Sequence, residues 1–219
     1  MKYGVISDVH GNLPALESVL ADMPPVDGLL CAGDTVGYGP WPAECIDELV
    51  ARDVPSVMGN HDRAVASETG FSFNDLAQAA IEYTREQLSH RHLDWLRDLP
   101  TERRAADGTV HVVHGHPDDP DHYTRPHEFS ASLLREARAL VMGHTHVQHT
   151  EIYPEGVVMN PGSVGQPRDG DPRAAYSVLD LDELSVDERR VEYDVQRVQT
   201  AIRDAGLPDR LANRLAQGR

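Results

Sequence analysis

Lysine is nearly absent from this chain: Lys2 is the only one, and every other basic residue is an arginine. Cysteine is scarce as well, with Cys31 in a strand-like run and Cys45 in a helix-like one. Two isolated thiols make no disulfide framework, so both are expected to be buried and unpaired. No apolar run approaches the ~18 residues of a membrane-crossing helix. The N-terminus enters a strand at once through Lys2-Tyr3-Gly4-Val5-Ile6, which leaves no room for a signal peptide and predicts a cytoplasmic protein. No Gly/Ser-rich or Pro-rich linker and no repeat of fixed period divides the 219 residues. One domain spanning 1–219 with a real hydrophobic core is therefore expected, with 197–219 as a helical tail.

Acidic residues are abundant. Asp and Glu number 36 against 20 Lys and Arg, for a formal charge of −16. An acidic, lysine-poor surface suits a salt-rich, halophilic setting in which screening tolerates self-repulsion; GC-biased coding is the plainer explanation. No basic stripe is present, which counts against a long nucleic-acid substrate, although high salt would blunt that reasoning.

Hydrophobic patterning predicts strands at 3–6, 28–32 and 55–58, with helices at 14–23 and 42–52 between them. The first helix carries Leu13, Leu16, Leu20 and Met23 on one face, and the second buries Cys45, Ile46, Leu49 and Val50. This β-α-β-α-β order predicts a right-handed parallel arrangement. Asn74 is placed to cap a helix reaching about Leu88, and a shorter helix covers 92–99. Asp107-Gly108 is a hairpin signal between strands at 103–106 and 109–113. A helix near 129–136 precedes a strand at 140–142, and further strands fall at 150–153, 157–159, 175–179 and 185–193. The tail from Val198 reads as helical, broken at Gly206-Leu207-Pro208, and serves as a lid or packing element. A parallel first half and a hairpin-rich second half point to two packed sheets with helices outside.

Five short blocks follow strand-like runs: Asp8-Val9-His10, Gly33-Asp34, Gly59-Asn60-His61-Asp62, His114-Gly115 and Gly143-His144-Thr145-His146. Each would fall at a strand's C-terminal end, where open α/β sheets gather ligands. Carboxylate, imidazole and amide donors can hold a pair of divalent cations, a device for attacking phosphate esters. Alone, Asp8 could cap a helix and Asn60 could serve a turn. If the chain continued extended past β-strand 3–6, Asp8 and His10 would face the same way. Gly143 would let the backbone turn ahead of His144 and His146 without steric cost.

In this order, the five blocks resemble the calcineurin-like metallophosphoesterase superfamily, from Ser7 to about Asp171. The block from Asn160 to Arg168 looks like that of its small single-domain prokaryotic phosphodiesterases, the YfcE-type branch. The resemblance implies an α/β four-layer αββα sandwich of two mixed sheets with helices on the outer faces. It implies a first metal on Asp8, His10, Asp34 and His146, and a second on Asp34, Asn60, His114 and His144. A metal-bridging hydroxide would then attack a small phosphate ester. Two divalent ions and a hydroxide against Asp8 and Asp34 would leave about one positive charge to meet an anionic phosphate. His61 matches the histidine that faces the substrate and can assist the leaving oxygen. Asp62 would orient a neighbouring histidine or bind backbone. Arg168 could reach the phosphate, or pair with Asp169 or Asp171.

Donors without thiolate admit Mn2+ or Fe2+ first, and Ni2+ or Zn2+ as well. His116 and His122 are candidates to line the pocket, while His90, His92, His111, His127 and His149 read as surface or packing residues. Related phosphatases and diadenosine tetraphosphate hydrolases place an arginine after the Gly-Asp block, where Gly37 and Tyr38 stand here. That departure favours a singly charged phosphodiester. The alternatives are a phosphomonoesterase or nucleotide pyrophosphohydrolase on the same site. A metal-binding interaction scaffold without activity, as in one eukaryotic retromer subunit of this fold, is a third. A homo-oligomer is compatible with all of them.

Overall fold

The computed structural model describes residues 1–67 and 74–219. Strand β1 (Lys2–Ile6) leads to helix α1 (Leu13–Asp22), β2 (Gly28–Cys31) and α2 (Pro42–Ala51). Both helices begin with a proline in the first turn, where no backbone N–H is needed. Asn12 caps α1 by accepting from the Ala15 N–H at 3.3 Å. β1 and β2 pair in parallel, with Val5 opposite Leu30. The expected third strand is only a single bridge between Cys31 and Ser56, because the chain turns away and Met58 N donates to Pro100 O at 2.7 Å. On α2, Cys45, Ile46 and Leu49 are buried as expected, but Val50 is 48% exposed.

Helices α3 (Asn60–Ala66), α4 (Asp75–Gln87) and α5 (His90–Arg97) follow. The Asn74 side chain caps α4, accepting from Ala77 N at 3.1 Å. They pack beside α2 around Ile46, Val65, Ile81 and Leu96. The hairpin forms as expected from β3 (Glu102–Ala105) and β4 (Val110–Val113). Next come β5 (Ala139–Val141), β6 (His149–Tyr153), β7 (Gly156–Asn160), β8 (Ala174–Asp180) and β9 (Ser185–Val191), then α6 (Val195–Asp204) and α7 (Asp209–Leu215).

The strands form two mixed sheets, in the orders β2-β1-β8-β9 and β3-β4-β5-β7-β6. The second sheet is less hairpin-like than the sequence suggests, since β4, β5 and β7 run parallel at its centre. Val5, Leu30 and Val57 of the first half meet Val112, Val141 and Val157 between the sheets. Each such side chain contributes about 1.5–3 kcal/mol when fully buried. Outside the first sheet, α1 and α2 cover Ile6, Cys31 and Tyr176. Outside the second, Leu134 covers Val113, Leu140, Met142 and Val158. The covering segment is two 3-10 turns, Pro126–Glu128 and Ala131–Leu134, rather than the expected helix. Leu133 and Ala137 each bond three residues back, and Arg135 at φ 53° ends the run. The tail packs rather than hangs free: Val198, Ile202, Leu211 and Leu215 are buried with Tyr38, Ala77 and Ala80. Among the described residues no helix is long and apolar enough to cross a membrane. Cys31 and Cys45 are buried and unpaired.

Candidate metal centre

The loops after β1, β2, β4 and β5, with the start of α3, meet at one rim. Asp8 and His10 do not continue as extended chain. Both are left-handed, at φ 53° and 49°, as are Asp34 (52°), His144 (68°) and His146 (59°). A non-glycine residue held there costs about 1–3 kcal/mol and persists only where its surroundings over-determine it, typically at functional sites. Gly143 serves by its lack of a side chain rather than by its φ, which is not positive. A Cβ there would lie 2.1 Å from Ser7 Oγ and 2.9 Å from Asp8 Oδ2.

The five blocks converge. Asp8, His10 and His146 offer donor atoms within 4.8 Å of one another, as do Asp34, His114 and His144, and His10, Asp34 and His61. Asp34 Oδ2 lies 3.7 Å from His10 Nε2 and 3.4 Å from His114 Nε2, so one carboxylate oxygen faces both histidine groups. Asn60 Oδ1 stands 3.2 Å from His114 Nε2. Each imidazole is steered by its other nitrogen. His10 Nδ1 donates to Val36 O (3.0 Å), His114 Nδ1 to Ala32 O (2.8 Å) and His146 Nδ1 to Gln166 O (2.6 Å). His144 is turned over: its Nε2 donates to Asp121 O at 3.1 Å, leaving Nδ1 for the cluster. A carbonyl only accepts, so the outer nitrogens carry hydrogens, and the inner ones of His10, His144 and His146 present lone pairs.

The result is a nest of acceptors. His10 Nε2 and His146 Nε2 are 3.1 Å apart, and Asp8 Oδ1 is buried with no hydrogen-bond partner among the described residues. Asp8 Oδ2, by contrast, accepts from Ser7 Oγ (2.6 Å) and His144 N (3.1 Å). Burial lowers His10 well below the usual histidine range and takes His144 down to about 4, His114 adding to the latter; both rings stay neutral at pH 7. Burial, then Arg168, also lowers His146. His114 differs: against burial, Asp34 raises it to about 10, so a proton there does part of what a cation would do. An orphaned buried carboxylate oxygen facing bare imidazole nitrogens fits divalent cations.

His61 lies in the same pocket. Its backbone N–H donates to Asp34 Oδ1 at 2.8 Å, and its ring centre is 4.9 Å from that of His10. Burial, partly opposed by Asp34, takes its imidazole down to about 4. Asp62 binds backbone, accepting from Val36 N and Gly59 N, both at 3.1 Å. Arg168 is not paired with its neighbouring acids: Asp169 holds Arg190 and Asp171 holds Arg173. It donates to Gln166 Oε1 from Nη2 at 2.7 Å and sits 5.8 Å from the Tyr38 ring centre. His116 and His122 meet edge to face with ring centres 5.6 Å apart, outside the three clusters, and His122 bonds Glu128.

Two aromatic residues escaped the sequence reading. Tyr38, at φ 62°, packs its ring 4.4 Å from His61 and 4.8 Å from His10; the glycines on either side of it were the available hint. Tyr123 is 44% exposed and stacks on His144 at 3.8 Å, with no signal in its polar loop.

Residues 1–184 match the model of the calcineurin-like phosphoesterase superfamily domain. The chain is 32% identical over 201 residues to phosphodiesterase YfcE of Escherichia coli, covering 85% of this chain and 91% of that protein. It is also 32% identical to the uncharacterized protein MJ0912 of Methanocaldococcus jannaschii, covering 98% and 97% of the two chains. A metallophosphoesterase from Sphaerobacter thermophilus superposes with a TM-score of 0.86 at 38% identity, covering 100% of this chain and 99% of the other.

Proposed function

The chain belongs to the calcineurin-like phosphoesterase superfamily and is a metal-dependent phosphoester hydrolase, and from that premise we propose that it is a two-metal phosphodiesterase acting on small diesters. The observation that carries the two-metal reading is Asp34 Oδ2, which lies within 3.7 Å of histidines from both groups. One ion would be held by Asp8, His10, Asp34 and His146, the other by Asp34, Asn60, His114 and His144. When bound, such ions supply Lewis acidity and a water ionised near neutral pH. The protein's own contribution is to aim the donors and exclude bulk water. His61, neutral at pH 7, would offer an N–H to the leaving oxygen. Arg168, without a carboxylate partner among the described residues, would meet a non-bridging phosphate oxygen.

The preference for diesters draws on the likeness to YfcE and no longer on a missing arginine, because Arg168 and Arg214 both stand beside Tyr38. Oxygen and imidazole donors favour Mn2+ or Fe2+. The protein is read as a single cytoplasmic domain. The test is hydrolysis of bis(4-nitrophenyl) phosphate by chelated protein reloaded with Mn2+, Fe2+, Ni2+ or Zn2+, alongside elemental analysis. Turnover only with metal and two ions per chain are expected. Silence with every metal would leave the scaffold reading, and one ion per active chain would remove the two-metal one.

A further inference from the structure

Arg214 of α7 and Arg168 of the loop before β8 are distant in sequence, yet both guanidinium groups stand over Tyr38. Their Cζ atoms lie 5.9 and 5.8 Å from its ring centre. Both side chains are half-buried, and neither has a carboxylate side-chain partner among the described residues, in a chain where acids outnumber bases 36 to 20. Arg168 spends Nε and Nη2 on Gln166 Oε1, and Arg214 spends Nε on the terminal carboxyl oxygen of Arg219; the two Nη atoms of Arg214 make no hydrogen bond among the described residues. Burial, then Arg168, brings Arg214 down to about 10, still fully charged at pH 7. Two cations that repel each other on one ring, with both Nη atoms of Arg214 uncommitted among the described residues, are organised to receive an anion.

That anion is not the scissile phosphate alone. The Tyr38 ring that both guanidinium groups approach also packs on the rings of His10 and His61. Arg168 is tied to the centre through its backbone, its N–H donating to His146 O at 3.1 Å. Arg214 also lines an outward cleft with Arg210 and Arg219, in which Asp75 is the one acidic side chain among the described residues. It falls in α7, past residue 184, where the family match ends. We propose that Arg214 is a specificity residue contributed by the C-terminal tail, and that it selects phosphodiesters carrying a second phosphate group. This rests on the phosphodiesterase reading above.

The test compares thymidine 3′-(4-nitrophenyl phosphate) with and without a 5′-phosphate, two esters with the same leaving group and the same reacting phosphorus. The wild-type protein is expected to favour the 5′-phosphorylated ester by about tenfold or more in kcat/KM, the range of hydrogen bonds between charged groups. In Arg214→Gln that ratio should fall to within about twofold of unity, with Arg214→Lys between the two, because a point charge replaces the fork. Melting temperatures show whether each variant is folded. Equal kcat/KM for the two esters in the wild type, or an unchanged ratio in Arg214→Gln, would overturn the proposal while leaving the phosphodiesterase reading intact. If neither ester is cleaved, that reading fails, and calorimetric binding decides. Thymidine 3′,5′-bisphosphate should bind about tenfold more tightly than thymidine 3′-phosphate, a gap absent in Arg214→Gln. Equal affinities in the wild type would sink the proposal by that route.

Discussion

Asp8 Oδ1 lies 3.2 Å from His146 Nε2, and neither atom has a hydrogen for the other. The imidazole has committed its proton to Gln166 O, and the carboxylate oxygen has no hydrogen-bond partner among the described residues. Two buried acceptors held this close are destabilising without positive charge between them, so this pair is the sharpest local sign of a cation site. The same logic governs His10, whose outer nitrogen is fixed by Val36 O.

Asp34→Asn should remove nearly all activity and most bound metal. The substitution takes a negative charge from a side chain that faces both histidine groups, and His114 would lose the neighbour that holds its proton. Elemental analysis of the purified variant checks this; full occupancy would rule out the bridging role.

His61→Ala should keep its metal and lose less activity on nitrophenyl diesters than on alkyl ones. A nitrophenolate leaves unaided, whereas an alkoxide needs a hydrogen bond. General acid–base assistance is worth ~10²–10⁴-fold, so the gap between the two substrate types should reach at least about tenfold. Equal losses on both, with metal content unchanged, would assign His61 to phosphate binding instead.

Gly143→Ala should impair metal binding and stability together. The added Cβ would sit 2.1 Å from Ser7 Oγ and 2.9 Å from Asp8 Oδ2, displacing the Ser7–Asp8 hydrogen bond that orients the carboxylate. Overpacking of this kind typically costs about 1–3 kcal/mol. A variant with wild-type melting temperature and wild-type metal content would show that the loop relaxes at no cost.

Salt should stabilise the protein. With a formal charge of −16, self-repulsion weakens as the Debye length falls from about 10 Å at 0.1 M to about 3 Å at 1 M. The melting temperature is therefore expected to rise between low and molar potassium chloride, by about 2–4 °C for each kcal/mol regained. A flat profile would remove the halophilic reading and leave the chemistry untouched.

The ligand-type residues were legible because their chemistry is local. Asp8, His10, Asp34, His114, His144 and His146 each follow an apolar run that ends at the same rim. The order of the runs, with prolines opening α1 and α2, is enough to set strand and helix in place. The Asn74 cap and the Asp107-Gly108 turn are likewise short-range and were read correctly. Other features depend on distant partners. Whether 55–58 becomes a strand was decided by Met58 bonding to Pro100, and whether 129–136 becomes a helix by left-handed Arg135. The left-handed backbone of five site residues has no signature in their side chains. It is held by bonds such as His10 N to Asp34 O and Gly165 N to Asp8 O, across 24 and 157 positions of chain. Arg168 could not be assigned from sequence because Asp169 and Asp171 were the nearer partners, and only Arg190 and Arg173, folded against them, leave it available. Donor chemistry is written residue by residue. Which cations stay unpaired, and which ring they share, is settled only when segments as far apart as Tyr38, Arg168 and Arg214 are packed together.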